Sequence, residues 1–192
     1  MTPPNAQAIV IGASAGAFDA LSMILPALPE DYPLPVVVVV HLPRDKDSIL
    51  AELLNAKCQM KAREAEDKEF LRPGTIYIAP PDYHLLVEKD QSLSLSSEEE
   101  VLFSRPSIDV LFETAADAFG KNVTGIILTG ANEDGAKGLK AIVDAKGHAI
   151  VQQPSMASAP MMPQAALKEC PEAEILSLED IALYLKEMAI RE

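Results

Sequence analysis

The chain has 192 residues, 48% of them hydrophobic, with 29 acidic against 16 basic side chains and a formal net charge of −13. That length and apolar content give a globular chain able to bury a full core, and exclude a disordered one. The negative charge excludes a nucleic-acid partner, whose phosphates it would repel, and the lack of any long apolar run excludes a membrane-inserted chain.

In chain order, Met1 to Gln7 has neither a basic region nor an apolar core, so it reads as a short tail and the cytoplasm is the expected compartment. Ala8 to Ile11 reads as a strand and Phe18 to Leu28 as an amphipathic helix. Between them lies Gly12-Ala13-Ser14-Ala15-Gly16, a tight turn with Ser14 at its apex. Such a turn holds a hydroxyl near free backbone N–H groups at the positive end of a helix, as an acyl-transfer nucleophile requires. The same geometry also suits a phosphate cradle.

Val36 to Val40 is a run of valines, hence a strand buried on both faces as in a parallel sheet, and His41 follows it directly. Asp47 to Asn55 is the next expected helix. Two acidic stretches, Glu64 to Glu69 and Glu98 to Glu100, read as solvated loops. Thr75 to Ala79, His84 to Val87 and Ser92 to Ser96 read as short strands of an antiparallel hairpin region. Ser107 to Phe119 is a helix with Ser107 as its N-cap.

Val123 to Leu128 is another apolar strand, Gly135 to Lys146 a helix, Ala149 to Val151 a strand and Leu178 to Met188 a closing helix. This alternation predicts an α/β fold: a doubly wound, mostly parallel sheet flanked by helices, with a small antiparallel hairpin region. No repeat, linker or composition break divides it, so residues 1–192 read as a single domain with residues 1–7 as its tail. Cys58 and Cys170 fit no metal-ligand spacing and read as free thiols.

Ligands of open parallel sheets sit beyond the carboxyl ends of the strands. Three polar groups fall there: Ser14 after the first strand, His41 after the valine strand, and Asp134 in the segment Thr129-Gly130-Ala131-Asn132-Glu133-Asp134-Gly135. A serine, a histidine and an acid at neighbouring strand ends are the parts of a nucleophile, base and orienter set. Each also has a structural reading: Ser14 as a turn residue, His41 as a polar flank, Asp134 as a helix cap. A dinucleotide site wants an acid at the end of the second strand, where this chain has His41, and Ser14 takes the place of a fingerprint glycine. His84 and His148 follow no parallel strand and read as structural.

Ile9 to Gly16, His41-Leu42-Pro43 and Leu128-Thr129-Gly130 with Asp134-Gly135-Ala136 together resemble the catalytic domain of the chemotaxis protein-glutamate methylesterases, the CheB type. Glu64 to Asp67, Pro73 to Pro80, Arg105 to Phe112 and Met162-Pro163 agree with it, so the resemblance runs from about residue 8 to about residue 188. It implies a cytoplasmic hydrolase that removes methyl esters from glutamate side chains of chemoreceptors, in many members also deamidating glutamine. It implies Ser14 as nucleophile, His41 as base and Asp134 as orienting acid, with backbone N–H groups of Ala15 and Ala131 at the oxyanion and no metal or organic cofactor. The arrangement expected is Ser14 Oγ against His41 Nε2, with Asp134 against His41 Nδ1.

Arg105, inside one of the shared motifs, and Arg44 are candidates for contacting an acidic substrate; a surface ion pair is the other reading. The family usually has Met-Gly where this chain has Ala131-Asn132, and a further glycine where it has Ala17. It also usually carries an N-terminal receiver domain, whereas few residues here precede the first strand, so either an unrestrained enzyme or control by a separate regulatory protein is expected. Besides a methylated receptor or other methylated protein as partner, two other readings stay open: a catalytically silent binding module of the same fold, and a small-molecule carboxyl esterase.

Overall fold

The computed structural model describes residues 7–41 and 49–189. Strands β1 (Ala8–Ala13) and β2 (Val36–Val40) are joined through helix α1 (Ala17–Ile24). After α2 (Leu50–Asn55) come β3 (Lys61–Glu64), β4 (Thr75–Ile78), β5 (His84–Val87) and β6 (Leu93–Ser96). Then follow α3 (Ile108–Phe119), β7 (Val123–Ile127), α4 (Ala136–Asp144), β8 (His148–Gln152), α5 (Met161–Glu169), β9 (Glu174–Leu176) and α6 (Leu178–Met188). Seven strands form one sheet in the order β3-β4-β2-β1-β7-β8-β9, with every neighbouring pair parallel. The expected doubly wound α/β fold is what the chain adopts.

The valine strand shows why the sheet must be covered on both sides. Val36, Val38 and Val40 pack with Leu21, Ile24 and Ile181 on the face of α1 and α6. Val37 and Val39 pack with Leu111, Phe112 and Leu139 on the face of α3 and α4. Side chains alternate across a strand, so a continuous apolar run demands an apolar layer on each face. Hairpin β5–β6 is a separate antiparallel pair whose Leu85, Val87 and Leu93 join the second layer.

Several elements depart from the sequence expectation. Thr75–Ile78 is not part of the hairpin: it pairs in parallel with β2 and β3, inside the main sheet. Its neighbour β3 reads Lys-Ala-Arg-Glu and buries only Ala62: an unforeseen edge strand, with no apolar alternation to reveal it, runs up to Glu64 at the start of the expected acidic loop. Strand β9 and helix α5 were likewise unforeseen. Helix α1 ends at Ile24 and the chain continues as a 3-10 turn over Leu25–Ala27, because Pro26 cannot donate the next helical bond. Helix α4 begins at Ala136, with Gly135 as its left-handed N-cap, and ends at Asp144. Asp47, the expected start of α2, lies outside the described residues.

At the free edge of the sheet, Asn55 stands in for a further strand. Its Oδ1 accepts the Ala62 N–H at 2.7 Å, and its Nδ2 donates to the Ala62 carbonyl.

Candidate active site

The chain winds from β1 to β2 and β4 on one side, then to β7 and β8 on the other, so the strand order reverses around β1. A crevice opens beyond the carboxyl ends at such a reversal. Ser14 leaves β1 there, His41 leaves β2, and the 129–135 segment leaves β7.

The Ser14 turn is held on both sides. The Ser14 N–H donates to the Thr129 carbonyl at 2.9 Å, and the Ser14 carbonyl accepts the Ala17 N–H. Thr129 Oγ1 donates to the Ala15 carbonyl at 2.8 Å and accepts the Ala159 N–H, while the Thr129 N–H donates to Gln152 Oε1. Gly16 sits at φ 81°, the left-handed region that an L side chain resists. A Cβ there would also stand 2.9 Å from Ser158 Cβ. Ser14 is half-buried and Ala15 is exposed.

Asp134 is fully buried, yet all its acceptor capacity is used. His41 Nε2–H donates to Oδ2 at 2.7 Å, as does the Ile108 N–H at 2.7 Å. Oδ1 accepts the Ser107 hydroxyl at 2.9 Å and the Asp109 N–H at 3.0 Å. Burial pushes the Asp134 carboxyl up, but the His41 bond and the Asp109 and Ile108 N–H groups outweigh it and hold the group below the usual carboxylate range. An ionised Asp134 is an acceptor only, which makes His41 Nε2 the protonated nitrogen. Ser107 occupies the N-cap position of α3 as expected, but its hydroxyl serves Asp134 and the carboxylate caps the helix instead.

The other ring nitrogen of His41 faces Asn132, whose Nδ2–H donates to Nδ1 at 3.2 Å. This corrects the expected ring orientation: Asp134 meets Nε2, not Nδ1. Ser14 and His41 line one cavity of about 260 Å³, with Phe18, Asp19, Val40 and Leu50 among its other walls. Among the described residues the Ser14 hydroxyl has no hydrogen-bond partner, and the Ala15 and Ala131 N–H groups have no acceptor.

Asp109 lies beside Asp134 and is pushed up to about 6 by burial and by the Asp134 charge, against the pull of the Gly138 and Gly135 N–H groups. His84 is buried, accepting the Ser107 N–H at Nδ1 and donating from Nε2 to the Glu99 carbonyl, so it supports the segment that holds Asp134. His148 bonds Glu174 and stacks on Tyr184. Arg105 does not line the Ser14–His41 cavity. Its guanidinium donates to Asp82 and to the Ser97 and Glu98 carbonyls. Arg44 lies outside the described residues.

The sequence reading had no role for Asn132, Thr129 or Gln152. Each contributes by a side-chain bond across the crevice, and only an unusual density of polar residues after an apolar strand hints at them.

Residues 9–185 match the family model described as CheB methylesterase. A protein from Leptospira interrogans, provisionally designated a protein-glutamate methylesterase/protein-glutamine glutaminase, is 48% identical over 178 residues, which is 93% of this chain and 92% of that protein. An Archaeoglobus fulgidus protein with the same two-activity name is 39% identical over 163 residues, 83% of this chain and 47% of its own length. The crystal structure of the Thermotoga maritima CheB methylesterase catalytic domain superposes with a TM-score of 0.90 at 31% identity, covering 95% of this chain and 98% of that one. With a family match over nearly the whole chain and a shared fold, this protein belongs to the CheB methylesterase family.

Proposed function

We infer that the chain is a serine hydrolase that removes methyl ester groups from glutamate side chains of a methylated chemoreceptor, with Ser14, His41 and Asp134 as its triad. One observation carries the residue roles: the buried Asp134 carboxylate bonds His41 at 2.7 Å while His41 and Ser14 line the same cavity. The names of the relatives supply the substrate class, and glutamine deamidation of the same partner is the second activity they suggest.

In this reaction Ser14 Oγ attacks the ester carbonyl carbon as its proton passes to the unprotonated ring nitrogen of His41. Asp134 stabilises the imidazolium that forms. The carbonyl oxygen, now an anion, takes hydrogen bonds from the Ala15 and Ala131 N–H groups, the kind of donor whose loss typically costs about 3 kcal/mol of transition-state stabilisation. The C–O bond to the methoxy group breaks and the His41 proton leaves with it as methanol. Water then repeats the sequence on the acyl-serine and releases the glutamate. His41 bonds Asp134 and Asn132 rather than Ser14, and nucleophile–base contacts commonly tighten only when substrate is bound.

The test is methanol release from methylated receptor. Wild type turns over and Ser14→Ala loses at least on the order of 10⁴-fold. An unchanged rate in Ser14→Ala rejects the assignment. A small methyl ester turned over as well as the receptor would favour a small-molecule esterase.

A further inference from the structure

Three hydrogen bonds close a ring through His41. The Asp134 N–H donates to Asn132 Oδ1 at 3.1 Å, Asn132 Nδ2–H donates to His41 Nδ1 at 3.2 Å, and His41 Nε2–H donates to Asp134 Oδ2 at 2.7 Å. Each bond dictates the next. A backbone N–H only donates, so the amide must turn its oxygen to Asp134 and its nitrogen to the imidazole. Faced with an amide donor on one side and a carboxylate on the other, the ring has one compatible neutral form: hydrogen on Nε2, lone pair on Nδ1.

That lone pair is the sole proton-accepting site left on the ring, and Asn132 occupies it. We propose that Asn132 is a positioning residue that locks His41 in the form whose base is Nδ1 and competes with Ser14 for that lone pair. The inference rests on the triad reading above and adds to it which ring atom takes the proton and which side chain must give way. When the Ser14 proton arrives at Nδ1, both ring nitrogens become donors. The Asn132 Nδ2–H then faces another N–H and must swing aside. Asn132 therefore favours the unprotonated ring and opposes the protonated one. Among the described residues, the charged groups at the ring are Asp134 and, across the shared cavity, Asp19.

The rate at which a fluorophosphonate labels Ser14, followed from pH 5 to 9, reads this directly. Asn132→Ala removes a neutral donor from Nδ1 without adding charge, so the acid limb of the profile moves up by roughly half a pH unit or more. Asn132→Asp keeps the acceptor for the Asp134 N–H but has no donor for Nδ1, so its limb moves further up. Limbs that coincide with wild type in both variants, with unchanged unfolding midpoints, overturn the proposal. Should either variant fold poorly, the wild-type ring is read by long-range ¹H–¹⁵N spectra at pH 8. Hydrogen on Nε2 supports the lock, and hydrogen on Nδ1 overturns it. Labelling that survives Ser14→Ala or ignores His41→Ala rejects the triad itself, whereas labelling that needs both residues but shows coincident limbs rejects only the role of Asn132.

Discussion

Asp134 and Asp109 cap each other's helices. Asp134, just ahead of α4, accepts the Ile108 and Asp109 N–H groups at the start of α3. Asp109, in the first turn of α3, accepts the Gly135 and Gly138 N–H groups at the start of α4 at 2.9 and 2.7 Å. Two buried carboxylates thus tie two helix N-termini together, and the His41 bond hangs from that knot.

Loss of Asp134 should therefore be felt twice. Asp134→Ala orphans two backbone N–H groups and the Ser107 hydroxyl in a buried site, for an expected destabilisation of about 3 kcal/mol. Esterase activity falls with it. His41→Ala, by contrast, abolishes activity with little change in stability. Urea midpoints measured beside activity separate the two, and an unchanged midpoint in Asp134→Ala would contradict the structural role.

Asp109 gives stability a pH dependence of opposite sign to that of Asp134. Folded, Asp109 keeps its proton up to about pH 6, whereas an unfolded aspartate releases it at about 3.9. Between those values the folded chain binds more protons, so this group's contribution falls as pH rises and is constant above. The depressed Asp134 stabilises fully above about pH 4 and loses that contribution only as pH falls through its folded value. Asp109→Asn keeps an oxygen for Gly135 and Gly138 without ionising. Its Tm relative to wild type should rise from pH 4 to pH 7, as thermal melts at stepped pH will show; a constant difference would rule the mechanism out.

Gly12 sets how closely α3 approaches β1. A Cβ at that position would stand 2.4 Å from Ile108 Cγ2. Gly12→Ala should lower stability by roughly 1–3 kcal/mol through overpacking. Displacing Ile108 also moves the N–H that holds Asp134, so activity should fall by more than stability alone explains. Activity assayed well below the melting temperature is the measurement that shows it.

Both thiols should be inert. Burial pushes Cys58 up to about 11 against the nearby Lys57, and pushes Cys170 up to about 11 with help from Glu172. At pH 8 the thiolate fraction is then on the order of a thousandth. Native protein should react with a disulfide reagent far more slowly than denatured protein, in a titration followed by absorbance.

The sequence made the buried parallel strands legible because apolar runs have no other place to go: Val36–Val40 lies where its composition demands. Edge strands were invisible for the same reason. Lys61–Glu64 and Glu174–Leu176 are held by backbone pairing with little burial, which leaves no side-chain pattern. Ser14, His41 and Asp134 could be singled out as candidates because each follows the carboxyl end of a parallel strand. The ring orientation of His41 was not legible, since it depends on an amide at Asn132 whose direction is set by a single backbone N–H.

Asn55 offers the outer rim of the sheet the same donor and acceptor that a neighbouring peptide would. A parallel sheet with a bare rim recruits another chain by adding rungs to its ladder. Here the amide of one side chain occupies a rung, and a second copy finds the Ala62 position already taken. The side chain thus ends the sheet at β3, and Asn55→Ala should reopen it to growth, visible as self-association on concentration.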